Sequence, residues 1–346
     1  MRVEEAPAFW WRKPGMAALA LMPLSALWGF VSGWRMELAP SASVSVPVLC
    51  VGNFVTGGAG KTPTAIAICQ AALKAGLKPG FLSRGHGGSL SGPLQVDPAS
   101  HRATEVGDEP LLLAKVAPTV ISADRPAGAA RLIAMGCDFI ILDDGFQNPK
   151  LAKDFNLVVV DARRGIGNGL TLPSGPLRAP LSVQMARADA VVIVGDGPAG
   201  DQAVRETARR GKPVYIARTV PVRKTVWKGR RCLAFAGIGD PVKFFLSLEE
   251  AGADLVSRQS FVDHHVFGDE EIRDLLAEAA EKKLELVTTS KDMARLRHAG
   301  HLAEELAERA QVFDIRLEFD DPRTATLLID ATREKAEARS LKRQAA

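Results

Sequence analysis

From residue 46 onward, short runs of consecutive apolar residues alternate with stretches of helical spacing. The apolar runs, rich in Val and Ile, lie at Val46–Gly52, Gly80–Ser83, Thr119–Ser122, Phe139–Asp143, Leu157–Asp161, Ala190–Val194 and Val214–Ala217. Runs this short, without polar alternation, predict strands buried on both faces. Thr64–Ala75 and Arg125–Met135 carry the helical pattern between them. Strand–helix alternation of this kind predicts an α/β fold, an α/β/α sandwich around a mostly parallel sheet.

A short basic stretch, PVRKTVWKG, precedes a second, smaller α/β unit. There Leu233–Ala236, Leu284–Thr289 and Gln311–Ile315 read as strands. Asp240 and Pro241 read as N-cap and first residue of a helix that carries Phe244, Phe245 and Leu248 and ends at Gly252. Asp269 is placed to cap the next helix, with Ile272, Leu275, Leu276 and Ala279 on one face. The expected organisation is an N-terminal anchor at 1–36, a larger domain at 37–220, a smaller one at 221–330 and a basic, frayed tail at 331–346.

The stretch Gly15–Trp34, GMAALALMPLSALWGFVSGW, has no charged residue. As a helix it would be about 30 Å long, the thickness of a bilayer hydrocarbon core. Arg12, Lys13 and Arg35 flank it, and Trp10, Trp11 and Trp34 stand where an interfacial aromatic belt would stand. The run is long for a signal peptide, and no clear small-x-small cleavage site ends it. A membrane anchor is expected, either spanning or embedded in one leaflet.

Composition narrows the class. The 346 residues are 47% hydrophobic and 24% charged, which excludes a disordered chain. The net charge of +4 gives no ground for a nucleic-acid partner. The four Cys are far apart, without a CxxC pair, so buried thiols are expected and zinc is not.

The strongest chemical signal is VLCVGNFVTGGAGKTPTAIAI, an apolar strand running through a Gly-rich turn into a helix. Such a turn points successive N–H groups at phosphate oxygens, and the helix N-terminus adds its positive dipole end. Thr56, Gly57, Gly58, Ala59, Gly60, Lys61, Thr62 and Pro63 form the expected nucleotide loop. Lys61 would reach the β- and γ-phosphates, and Thr62 would ligate Mg²⁺. Val55 stands where the strict P-loop pattern has its first Gly. FIILDDG then supplies Asp143 and Asp144 at the end of an apolar strand, as a P-loop enzyme needs for its metal. An alcohol acceptor needs a base. Asp108 and Glu109 of VGDEP, in a loop before a helix begun by Pro110, are candidates, as are His264 and His265 of FVDHHVFGD.

With these motifs the chain resembles the tetraacyldisaccharide 4′-kinase (lipid A 4′-kinase) family. The resemblance rests on VGNFVTGGAGKTP, LSRGHGG, VGDEP, Asp124-Arg125, LDDGFQN, LPSGPLRAP, AFAGIGDP, FVDHHVFGD and TSKD, and covers residues 10 to about 330. It implies an enzyme at the inner membrane, facing the cytoplasm, a monomer using ATP and Mg²⁺. The reaction implied is γ-phosphate transfer to the 4′-hydroxyl of an acylated glucosamine disaccharide 1-phosphate. By resemblance, Lys61 and Thr62 are the P-loop pair, Asp108 is the base and His264 its partner. Glu109, Asp143 and Asp144 surround the metal, while Arg125, Gln147 and Arg178 contact the substrate. The chain departs from the family at His86 (usually Tyr), Asn148 (usually His) and Ala179 (often acidic). The alternative is a membrane-attached switch or partition ATPase, whose loop TGGAGKT approaches, but Thr56 stands where that class has Lys. No NKxD is present for a GTPase.

Overall fold

The computed structural model describes residues 6–38 and 41–344. Helices α1 (Met16–Ala20) and α2 (Met22–Leu38) precede the first strand. The larger body then runs β1 (Val48–Asn53), α3 (Lys61–Lys74), β2 (Pro79–Ser83), β3 (Leu94–Gln95), α4 (Ala103–Val106), α5 (Asp108–Ala114), β4 (Thr119–Ile121), α6 (Arg125–Ala134) and β5 (Phe139–Asp143). It continues through β6 (Phe155–Asp161), α7 (Leu181–Arg187), β7 (Ala190–Val194), α8 (Gly200–Ala208) and β8 (Val214–Pro221). These strands form a sheet in the order β8-β7-β6-β1-β5-β2-β4-β3, parallel except for β3.

Both faces of this sheet are covered, which is why its strands read as unbroken apolar runs. On one face Val48 and Cys50 pack with Leu132 of α6, Met185 of α7 and Ala203 of α8. On the other, Leu49 and Val51 pack with Ile68 of α3 and Leu113 of α5. All four cysteines are free and buried, as expected.

The smaller unit runs β9 (Arg231–Ala236), α9 (Pro241–Glu250), β10 (Asp254–Ser260), α10 (Asp269–Lys282), β11 (Glu285–Thr288), α11 (Ser290–Leu296), α12 (His301–Arg309) and β12 (Gln311–Val312). Its four strands are parallel, in the order β10-β9-β11-β12. Asp240 caps α9 through Lys243 N–H at 3.2 Å, as its sequence predicts. The residue preceding α10 is Gly268, not Asp269, and the Glu271 carboxylate accepts its N–H at 2.8 Å. β10 has no counterpart in the apolar pattern because it is a largely exposed edge strand.

After β12 the chain returns to the larger sheet. β13 (Ile315–Phe319) pairs antiparallel with β8, with Ile315 opposite Pro221. The basic tail is not frayed but forms α13 (Thr324–Gln344), with Leu328, Ile329, Thr332 and Ala336 buried along one face. Its cations are used: Lys335 pairs with Asp189 at 2.5 Å, and Arg339 with buried Asp154 at 3.3 Å.

The N-terminal segment corrects the spanning-anchor expectation. Among the described residues no helix is long and apolar enough to cross a membrane. The helix is interrupted at Leu21, just before Pro23, and α2 takes in Arg35 and Glu37. Ser25, Gly29 and Gly33, spaced four apart, form a narrow inward stripe that lets α2 lie close to the loop before α7. The Ser25 hydroxyl donates to Thr171 O at 2.8 Å, and Gly29 and Gly33 face Pro180. Leu24, Leu27, Phe30 and Trp34 face outward, with Phe30 72% exposed.

The Arg339–Asp154 pair is expected to carry stability. Asp154 also accepts Val48 N–H at 2.9 Å, so losing its cation leaves a buried carboxylate at the start of the central strand. Arg339→Ala is expected to cost about 2–3 kcal/mol in chemical denaturation. A variant within about 0.5 kcal/mol of the parent would assign the tail no such role.

Candidate active site

The site lies at the carboxyl ends of β1 and β5, where open parallel sheets bind ligands. The register pairs Val51 of β1 with Asp143 of β5, and the Gly-rich loop leaves β1 two residues later. Gly57 and Gly60 adopt φ of 101° and 91°, values that side chains disfavour and that this turn requires. The Asn53 amide donates to Gly57 O at 3.1 Å and closes the loop from within. Lys61 and Thr62 then open α3, with Pro63 in its first turn, where a missing N–H costs nothing.

Thr62 Oγ1 donates to Asp143 Oδ2 at 3.3 Å. The other oxygen, Asp143 Oδ1, is buried and has no hydrogen-bond partner among the described residues. Burial, with the nearby Glu109 charge, pushes the Asp143 carboxyl up to about 7. An ion-starved carboxylate beside a threonine hydroxyl suits a divalent cation. Among the described residues no group of three or more His, Cys, Asp or Glu side chains could hold a metal by itself. That donor set fits Mg²⁺, which takes few protein ligands and completes its shell with phosphate and water.

Asp144 serves differently. It has φ 54° and turns toward Arg178, which donates to it with both terminal nitrogens at 2.6 and 3.1 Å. Lys61 Nζ stands 3.6 Å away. Burial opposes ionisation of Asp144, but Lys61 and Arg178 outweigh it and hold the carboxyl well below the usual carboxylate range. Gln147 Oε1 accepts a longer 3.4 Å bond from Arg178, and its amide donates to Asn53 O at 2.7 Å. Arg178 and Gln147 are thus brought together. Arg125 is not presented to solvent: it is 2% exposed and donates to Ser122 O beneath the site, at 3.2 Å.

Asp108 and Glu109 are not in a loop before a helix, as expected, but form the first turn of α5 itself. Asp108 is 3% exposed. Its Oδ1 accepts Glu109 N–H at 2.9 Å, and its Oδ2 lies 3.2 Å from His264 Nδ1. Arg295 Nε donates to that same Oδ2 at 3.1 Å. Lys291 Nζ pairs with Glu109 Oε1 at 2.7 Å. Burial opposes ionisation of Asp108, but the His264 hydrogen bond and the Lys291 and Arg295 charges hold it well below the usual carboxylate range.

The two adjacent histidines part company. His264 sits at φ 58° and reaches Asp108, while His265 stacks on Phe261 at 4.9 Å and binds Glu271 at 2.7 Å. His265 is therefore a packing residue. His86 lies edge-on to His264, with ring centroids 6.1 Å apart. Lys291, within TSKD, and Arg295, just beyond it, join this cluster although the motifs alone gave them no role.

Fold and site together define a P-loop phosphotransferase with a carboxylate–imidazole pair beside its phosphate loop. A family model described as tetraacyldisaccharide-1-P 4′-kinase matches residues 17–333. The chain belongs to that family. It is 52% identical to the tetraacyldisaccharide 4′-kinase of Agrobacterium fabrum over 340 residues, covering 98% of each chain. The corresponding Rhizobium meliloti protein is 52% identical over 344 residues, 99% of each. A solved structure of LpxK from Aquifex aeolicus in complex with ATP superposes with a TM-score of 0.69 at 26% identity, covering 92% of this chain and 100% of that one.

The hydrogen bond to Asp108 raises the His264 pKa, burial works against it, and the Asp108 and Asp263 charges add to the rise. Histidine titration followed by NMR should place His264 above the ordinary value of about 6.5, and Asp108→Asn should bring it down. Because the native value is raised, the pair's stabilisation is fully present below about pH 6.5 and is lost as pH rises through the native value. A His264 midpoint unmoved by Asp108→Asn would show the pair to be uncoupled.

Proposed function

We propose that this chain transfers the γ-phosphate of ATP to the 4′-hydroxyl of a tetraacylated glucosamine disaccharide 1-phosphate. Family membership supports the substrate class. The observation that carries the chemistry is the meeting of Asp108, on α5 of the larger unit, and His264, in the loop after β10 of the smaller one, beside the Lys61–Thr62–Asp143 end of the phosphate loop.

In this reading the loop amides and Lys61 hold the β- and γ-phosphates. Asp108 accepts the proton of the acceptor hydroxyl as its oxygen bonds to the γ-phosphorus and the bond to the β–γ bridging oxygen breaks, releasing ADP. A loose transition state delays that proton transfer, so a well-placed but weak base suffices. His264 orients the carboxylate and shares the proton that it takes up. Arg178, held by Asp144 and Gln147, offers a guanidinium to an anionic group of either substrate. Thr62 and Asp143, with Glu109 nearby, would hold Mg²⁺, which supplies charge neutralisation across the β- and γ-phosphates.

The outward faces of α1 and α2 support seating in one leaflet rather than spanning. The seat joins the site directly: Trp28 Nε1 donates to Arg178 O at 3.0 Å. An acylated acceptor could then present its head group while its chains stay in the bilayer. The cytoplasmic side of the inner membrane, where ATP is available, is the matching location.

Two experiments test this reading. Incubation with [γ-³²P]ATP, Mg²⁺ and tetraacyldisaccharide 1-phosphate should label the lipid. Lys61→Ala should reduce labelling by about 10³-fold, and equal labelling by both proteins would sink the assignment. For the membrane seat, the parent should float with anionic vesicles. The double variant Leu27→Glu and Phe30→Glu should float about tenfold less, with its melting temperature retained. Equal flotation would remove α2 as the seat.

A further inference from the structure

Two cations of α11 reach from the smaller sheet to the first turn of α5 on the larger one. Arg295 is the more constrained. Its side chain is 6% exposed, and its Nη1 donates to Gly237 O at 2.7 Å and to Asp292 Oδ1 at 2.9 Å, while Nε donates to Asp108 Oδ2. Asp292 is fully buried and is itself fixed, because Gly237 N–H and the Thr289 hydroxyl donate to its two oxygens at 2.9 and 2.6 Å.

These contacts close a ring. Gly237 O accepts both Arg295 Nη1 and the His264 backbone N–H, the latter at 3.1 Å. Asp108 Oδ2 in turn meets both Arg295 Nε and His264 Nδ1. Arg295 thus touches both ends of His264's attachment, its backbone anchor and its side-chain partner. A Cβ on Gly237 would stand 3.2 Å from Arg295 Nη1 and 3.0 Å from His265 Cβ, so a side chain there would crowd the guanidinium. AFAGIGDP, FVDHHVFGD and TSKD, far apart in sequence, converge on this one side chain.

The physical need is clear. Without Arg295 the Asp108 carboxylate, bonded locally to Glu109 N–H, would keep only the imidazole as its partner from the smaller unit, and that imidazole would keep its own freedom to turn. A second donor from a rigid, planar fork removes that freedom, whereas an ammonium could not span Gly237, Asp292 and Asp108 together. Resting on the reading of Asp108 as the base, we propose that Arg295 is a positioning residue, holding the Asp108 carboxylate and the His264 imidazole in one fixed geometry across the two sheets.

The test uses the full chain with the lipid acceptor and compares Arg295→Ala, Arg295→Lys, Asp108→Asn and the Asp108→Asn variants that also carry each Arg295 change. Arg295→Ala should lower kcat about 30- to 100-fold while the KM for ATP stays within about threefold. Arg295→Lys, which keeps the charge and most of the packing, should remain at least about tenfold below the parent. Because Arg295 acts through Asp108, adding either change to Asp108→Asn should cost no more than about a further threefold. A purely structural clamp would give multiplied losses, and that result overturns the proposal. So does a kcat within about threefold of the parent in either single variant. If Arg295→Ala fails to show a cooperative melt, Arg295→Lys decides by the same criteria. Failure of the parent itself to phosphorylate the lipid would count against the functional reading, independently of the Arg295 comparison.

Discussion

A buried carboxylate between two sheets is the constraint around which this molecule is arranged. Asp108 sits in the first turn of α5, where the N-terminal N–H groups favour a negative charge. That alone would not hold an ion with so little access to water. His264 and Arg295 supply the rest, and both come from the smaller sheet. Apposition of the two units therefore has an electrostatic reason as well as an apolar one. Lys291 and Glu109 repeat the arrangement one residue along, anion on α5 and cation on α11. The same contacts that make the interface tolerable also aim the pair of groups that faces the phosphate loop.

What could be read from the sequence divides along contact range. The phosphate loop is local: glycines, Lys61 and Thr62 lie within a few residues, and their geometry follows from the turn. The Asp143–Asp144 pair was legible as acidic residues ending an apolar strand, but their separation, Asp143 toward Thr62 and Asp144 toward Lys61 and Arg178, was not. Asp108 and His264 stood out by residue type, but their meeting depends on how the sheets face each other. Arg295 stayed hidden, for it acts on a residue 187 positions away and its motif looks like an ordinary helix start. β10 and α13 were missed for a different reason: an exposed edge strand and a helix with a narrow buried stripe carry little apolar signal. The N-terminal segment misled because its apolar length is real, whereas its small residues at 25, 29 and 33 decide that it lies against the protein.

That segment also shows how one stretch can serve two surfaces. Its inward stripe is small and its outward face is large and apolar, the reverse of a helix on a water-facing protein. Trp28 belongs to both, half-exposed yet bonded to the peptide of Arg178. Arg178 in turn holds Asp144, and Asp144 faces Lys61. A continuous chain of contacts thus runs from the apolar face to the phosphate loop in three steps.

The return of β13 to the larger sheet gives the smaller unit an unusual attachment. It leaves after Pro221 and re-enters at Ile315, and these two residues are direct partners across β8 and β13. Both of its covalent connections therefore pass through one point at the edge of the sheet. Two paired strands at one point fix the unit's placement more tightly than a single tether would. The Asp108–Arg295 contact lies away from that edge, so the unit is held at two separated places. Paired strands on one side and an ion pair on the other thus set this carboxylate opposite this guanidinium.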